Sequence, residues 1–167
     1  MNKENKLVPG LPSGFEDRWD KKLLLKKKLL KAIENNFIKF GAEAIETPSF
    51  EIGENIGSFL AEDEANPMSD VFSFQDGEKS ITLRYDLSSP LARFVAQNNQ
   101  ELPSIFKRYQ IQNVFRNEKA GNGRYREFMQ ADFDIVGNVN PAQANAELCN
   151  LISSTLSDCG LNKDQFI

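Results

Sequence analysis

Residues 113–137, NVFRNEKAGNGRYREFMQADFDIVG, decide how this sequence folds. Ahead of the glycines, SIFKRYQIQNVFR sets Ile105, Tyr109, Ile111 and Val114 broadly against polar neighbours. Beyond them, RYREFMQADFDIVG does the same with Tyr125, Phe128, Ala131, Phe133 and Ile135. A period of two marks a strand with one buried face. KAGNG supplies turn residues between the two runs, so the pair reads as a strand–turn–strand hairpin. Four basic residues, Arg116, Lys119, Arg124 and Arg126, crowd it, and Gln130, Asp132 and Asp134 share one face of its return strand. The chain carries a net charge of −4, so this positive charge is local and marks a patch for an anion on an acidic background.

A length of 167 residues suits one domain with a core of its own. The sequence contains no histidine, which removes Ser-His and Cys-His nucleophile schemes and His-ligated metals. Catalysis must then run on Arg, Asp, Glu, main-chain groups, or a hard cation held by oxygens. Cys149 and Cys159 form no CxxC pair and are expected as reduced, buried thiols. No apolar run approaches the ~20 residues that cross a membrane. The start, MNKENKLVPG, has no apolar signal core, so a cytoplasmic location and no membrane partner are expected.

Residues 1–15 carry Pro9, Gly10, Pro12 and Gly14 and read as an irregular lead-in to a single unit over 16–167. Asp17 is expected to cap a helix running to about Phe40, with Gly41 as its stop. Trp19, Leu23, Leu30, Ile33 and Phe37 fall on one helical face, with Leu29 and Phe40 at its edge. The lysines of KKLLLKKKLLK lie mostly on the other side, as a solvated face or as a surface for RNA or membrane. Residues 44–47 read as a short strand closed by Pro48. Residues 51–70 read as a helix and a polar loop around Asn66-Pro67. VFSFQDGEKSITLRYD predicts a hairpin turning at Asp76-Gly77. SSPLARFVAQNN predicts a helix capped by Ser88 or Ser89 with Pro90 in its first turn, and NPAQANAELCNLISSTLSDCG a last helix ending at Gly160. The class is α+β, a mostly antiparallel sheet with helices packed on it.

Three stretches can carry chemistry. Arg116 ends its strand, Glu118 shares its face if the strand continues, and Arg124 and Arg126 answer across the turn. Guanidinium groups grip phosphate oxygens in bidentate fashion, an aromatic such as Phe128 stacks on a base, and Glu118 accepts from an exocyclic amine. A surface hairpin laced with cross-strand salt bridges needs the same residues. In TLRYDLSSPLARF, Asp86 and Ser88 lie where a strand meets a helix; they suit an ammonium group, and equally a helix cap. Gln130, Asp132 and Asp134 line a polar pocket or face solvent. Taken together the three describe a triphosphate grip, an ammonium grip and a polar side-chain pocket on strands of one sheet.

On these residues the sequence resembles class II aminoacyl-tRNA synthetases, and among them the histidyl-tRNA synthetases. The long helix with FGAEAIETPSFE, about residues 17–48, looks like motif 1, which in the family builds the dimer interface. FRNEKAGNGRYREF, within about 105–137, looks like motif 2. LRYDLSSPLARF and FMQADFDIVG resemble the family's amino-acid-binding segments. The resemblance implies ATP, histidine and tRNA(His) as substrates, Mg²⁺ with the ATP, and a homodimer through motif 1. It implies that Arg116 holds the α-phosphate and the histidine carboxylate, that Glu118 and Phe128 address the adenine, and that Arg124 meets the outer phosphates. Asp86, Leu87 and Ser88 fall in the segment for the α-ammonium, and Gln130 and Asp134 would contact the ammonium and imidazole. No residue is assigned to a protein-held metal. Ser88 replaces the usual threonine and Met129 a common histidine.

The family's second arginine-bearing segment, motif 3 and anticodon-binding domain have no counterpart in these 167 residues. The expectation is therefore the N-terminal half of a catalytic core, with no histidine-dependent ATP–pyrophosphate exchange by this chain alone. The competing expectations are a non-catalytic regulatory subunit of histidine biosynthesis and an RNA-binding synthetase fragment.

Overall fold

The computed structural model describes residues 8–54, 71–162 and 164–166. Its elements run α1 (Asp20–Lys39), β1 (Glu43–Ala44), β2 (Phe50–Ile52), β3 (Ser73–Asp76), β4 (Lys79–Leu83), α2 (Ser88–Asn98), β5 (Ile105–Phe115), β6 (Glu127–Gly137) and α3 (Pro141–Asp158). The α+β class holds. The strands form two three-stranded sheets, β1-β5-β6 and β2-β4-β3, and β1 runs parallel to β5 while the other pairs are antiparallel.

The long hairpin pairs Ile105 with Gly137 through Phe115 with Glu127 without a break in register. Pairing puts Tyr109 beside Phe133 and Ile111 beside Ala131 on the face under α1 and α3. There they meet Phe37, Ala42 and Leu151, with Ile33, Phe40 and Leu148 packed around them. The Phe37 ring lies 5.7 Å from Tyr109 and 5.6 Å from Phe133, centroid to centroid. Each such side chain taken from water contributes about 1.5–3 kcal/mol. Val114 does not join this face. It sits an odd number of residues from Ile111, so the pleat turns it to the opposite side, where it pairs with Phe128 and is fully buried.

Local chemistry sets the helix ends. Helix α1 starts at Asp20, behind an uncapped Trp19, so Asp17 is not its cap, and Trp19 is exposed rather than on the buried face. At its other end Gly41, at φ 78°, donates to Ile38 O, and Ala42 donates to Phe37 O. This left-handed stop is the one the sequence predicts. Helix α2 begins at Ser88, and its free amide at Ser89 is taken by the Asp86 carboxylate (2.9 Å), so Asp86 does the capping, not Ser88 or Ser89. The Asn140 side chain caps α3 by accepting from Ala142 and Gln143. The strand expected at 44–47 begins one residue earlier and stops at Ala44. β2 takes the first two residues of the helix expected over 51–70, Gly53 and Glu54 are helical as expected, and the remainder, 55–70, lies outside the described residues. The β3–β4 turn is Gly77-Glu78, one residue later than expected. Cys149 is exposed and Cys159 half-buried, so neither is the buried thiol expected, and both are free.

Arg84 ties the two sheets together and is only 3% exposed. Its Nε donates to Asn113 O (2.6 Å), and its Nη1 to Thr47 O (2.8 Å) and Gln112 Oε1 (3.1 Å). Its own carbonyl accepts from Phe115 N (3.0 Å). β4 therefore delivers Tyr85 and Asp86 to the side of β5 and β6 that α1 and α3 leave open.

Candidate active site

The open face of the hairpin is built by register. Arg108 pairs with Asp134, Gln110 with Asp132 and Gln112 with Gln130. Directly paired residues project to the same side of an antiparallel ladder. Six polar side chains therefore stand together, opposite the apolar core. They are not a solvated edge: Arg108 and Gln110 are fully buried.

Beyond this polar floor the strand ends at Phe115, and Arg116 follows. Its guanidinium lies 4.5 Å from the Tyr85 ring centroid and 5.1 Å from that of Phe128, with Nε 3.4 Å from Tyr85 O. Glu118 is off the strand, so it does not share a pleat with Arg116. Its carboxylate is reached instead by Tyr85 Oη (3.0 Å) and by Arg124, whose Nε donates at 2.8 Å and whose Nη2 bonds the same oxygen. The hydrogen bonds from Arg124 hold the Glu118 carboxyl below its ordinary range. Arg116, Glu118, Gly123, Arg124, Tyr125 and Phe128 line one cavity of about 340 Å³. Two guanidinium forks over an aromatic wall suit a polyphosphate joined to a flat ring.

The second group gathers at Arg108. Its Nη2 lies 2.6 Å from Asp134 Oδ2 and donates to Leu87 O (3.2 Å), while Nη1 donates to Gln110 Oε1 (3.2 Å). Burial lowers the affinity of the Arg108 guanidinium for its proton, and Asp134, Asp132 and Asp86 act to restore it. Arginine stays charged under that opposition. Asp86 completes the group, bonded to Ser89; Ser88 is exposed. Gln130 donates to Asp132 Oδ1 (3.3 Å), and its own Oε1 is buried with no partner among the described residues. Tyr85 and Asp86 are neighbours in sequence, so one segment stitches the arginine cavity to the acidic pocket.

The sequence did not single out Arg108, Gln110, Gln112, Arg84 or Tyr85. Arg108, Gln110 and Gln112 did leave a signal, the i, i+2, i+4 polar series in RYQIQ. It shows the same period as the apolar series on the other face.

Arg126 stands apart from both groups. Its guanidinium lies 4.6 Å from the Phe72 ring, and its N–H donates to Gly14 O (2.8 Å). Among the described residues no three His, Cys, Asp or Glu side chains assemble into a metal site.

This fold is shared with known proteins. A structure of histidyl-tRNA synthetase from Nostoc sp. PCC 7120 superposes with a TM-score of 0.73 and 27% identity, over 89% of this chain and 34% of that one. One from Bacillus halodurans, described as an ATP phosphoribosyltransferase regulatory subunit/histidyl-tRNA synthetase, gives 0.79 at 24% identity, over 98% and 40%. The two sheets and the long hairpin thus define a class II-like aminoacyl-tRNA synthetase fold. The profile described as histidyl-tRNA synthetase matches residues 14–166, and the chain belongs to that family. A histidine–tRNA ligase from Pelagibacter ubique (strain HTCC1062) is 80% identical over the whole chain, which covers 36% of it. The chain spans about a third of the length of the curated relatives it matches.

Proposed function

We propose that this chain supplies the ATP grip and much of the amino-acid pocket of a histidine–tRNA ligase. The observation that carries the reading is the joined pair of pockets, an arginine-lined cavity on one side of the Tyr85-Asp86 segment and an acidic pocket on the other. In the first, Arg116 holds the α-phosphate and the carboxylate of histidine, Arg124 meets the outer phosphates, and Phe128 and Glu118 take the adenine. In the second, Asp86 and Ser88, beside Leu87, hold the α-ammonium, and Gln130 and Asp134 the ammonium and imidazole. The reaction is attack of the histidine carboxylate on the α-phosphorus with loss of pyrophosphate. Arg116, fixed between two rings, meets the charge that grows there without having to reorganise.

Mg²⁺ arriving with ATP would supply charge neutralisation at the phosphates. Among the described residues Glu118 is the one carboxylate lining the arginine cavity, and Arg124 and Tyr85 already hold it. That donor set fits an ion that arrives on ATP, not one held by the protein. The product transfers histidine to tRNA(His), and the reading goes with a cytoplasmic homodimer formed through α1. A regulatory subunit that senses histidine alone has no use for the Arg116–Arg124 cavity, so that cavity favours the ligase.

Calorimetry on the complete product of the gene tests the choice. The ligase reading expects ATP to bind, and to bind more tightly once histidine is present. Histidine binding with no ATP binding at all would support the regulatory subunit instead.

A further inference from the structure

Asp132 has no role in the assignment above, yet it stands in the middle of the pocket. It pairs across the hairpin with Gln110, which is fully buried and whose Nε2 is taken by Thr47 Oγ1 (2.8 Å). Its Oδ1 accepts from Gln130 Nε2 (3.3 Å). The charged groups that act on it are Arg108 from β5, Asp134 from its own strand, and Asp86 from the segment before α2. Arg108 is already ion-paired with Asp134 at 2.6 Å. Three carboxylates therefore act on one guanidinium, and among the described residues Asp134 is the one in contact with it. Beside them the buried Gln130 Oε1 is an acceptor with no donor among the described residues.

An amino acid with one positive charge leaves that imbalance standing. One with two, an α-ammonium and a protonated ring, removes it. We propose that Asp132 is a third carboxylate of the amino-acid pocket and makes it select histidine in its imidazolium form, a role that rests on histidine being the ligand. A free imidazole titrates near ~6.5, so the extra proton costs little to add near neutral pH. An opposite charge within about 4–6 Å shifts such a group by roughly 1–3 pH units toward its charged form. Burial, aided by Asp134 and Asp86, holds the Asp132 carboxyl itself above the ordinary range. Attraction is therefore strongest between the titration of Asp132 and that of the bound ring, and fades on either side.

The test uses the complete gene product and has two arms. In steady-state activation, the KM for histidine should rise with pH above about 7, with kcat nearly level. Asp132→Asn should raise that KM on the order of tenfold near neutral pH and flatten its rise, and Asp132→Glu should restore the slope. KM for ATP should not move. The second arm needs no variant: calorimetry of histidine binding in buffers of different ionisation heat, at about pH 8, should show uptake of a proton. A flat KM profile, an Asp132→Asn profile matching the parent, or binding without proton uptake overturns the proposal and leaves the ligase reading intact. Failure of the parent protein to bind or activate histidine overturns both.

Discussion

Arg116 is held between the rings of Tyr85 and Phe128 before any substrate arrives. A guanidinium fixed in that way does its work without reorganising, so Arg116→Ala is expected to lower the rate of adenylate formation by about 10²–10³, with a small effect on melting temperature. Asp132 predicts the reverse pattern. Its folded-state carboxyl is raised by burial, so between the unfolded and the folded titration points the folded protein holds a proton that the unfolded chain has released. Its favourable share of stability is present below the unfolded value and is lost as pH rises through the folded one. Asp132→Asn should therefore raise the melting temperature at neutral pH and leave it unchanged in acid, even as histidine affinity falls. Equal melting curves at neutral pH would contradict this. The charged turn residues were legible in the sequence because an acidic chain had no other reason to gather them. Arg108 was not legible, because a charge inside a strand reads as a solvated face until the partner strand is known. Burial of that charge depends on Asp134, 26 positions along, and on the carbonyl of Leu87.

Among the elements, the hairpin was the legible one, since unbroken alternation fixes both its strands and its faces. Its parity departs from the expected series at Val114 and at its partner Phe128, two apolar residues at odd spacing that join the polar side. The lead-in was read as irregular, and its role escaped notice because it acts through backbone. Gly14 sits at φ 84°, and a Cβ there would come within 2.6 Å of Arg126 Cγ. Gly14 also gives its carbonyl to Arg126 N–H, and Phe15 lies 6.1 Å from Phe72, ring to ring. The lead-in thus braces the return side of the arginine cavity. Gly14→Ala is expected to cost about 1–3 kcal/mol of stability and to raise the KM for ATP more than that for histidine. An unchanged denaturation midpoint would rule out the brace. On the opposite face, Leu151 closes the seam between α1, α3 and the hairpin at 2% exposure. Leu151→Ala should lower stability by about 2–5 kcal/mol in denaturant titration, with KM values unmoved.

For the whole molecule, apolar residues remain on the surface. Leu24 and Leu25 are exposed on α1, as are Phe50, Ile52 and Phe74 on the second sheet. Apolar surface suits a contact with a partner where side chains lie together, as Phe50 and Phe74 do at 5.6 Å between ring centroids. Under the dimer reading, Leu25→Glu should shift the complete product toward monomer in sedimentation, and an unchanged dimer would move the interface elsewhere. Sequence could not reveal this exposure, because the lysine-rich side of α1 hides two leucines among six charges. The central claim is that the hairpin and the Tyr85-Asp86 segment form one site for ATP and histidine. ATP–pyrophosphate exchange by the complete gene product, offered each amino acid in turn, decides whether they do. Residues 1–167 alone and the Arg116→Ala variant serve as comparisons. Exchange is expected with histidine, none from residues 1–167 alone, and a loss of about 10²–10³ in the variant. Exchange that ignores histidine, or that survives the loss of Arg116 undiminished, would contradict it.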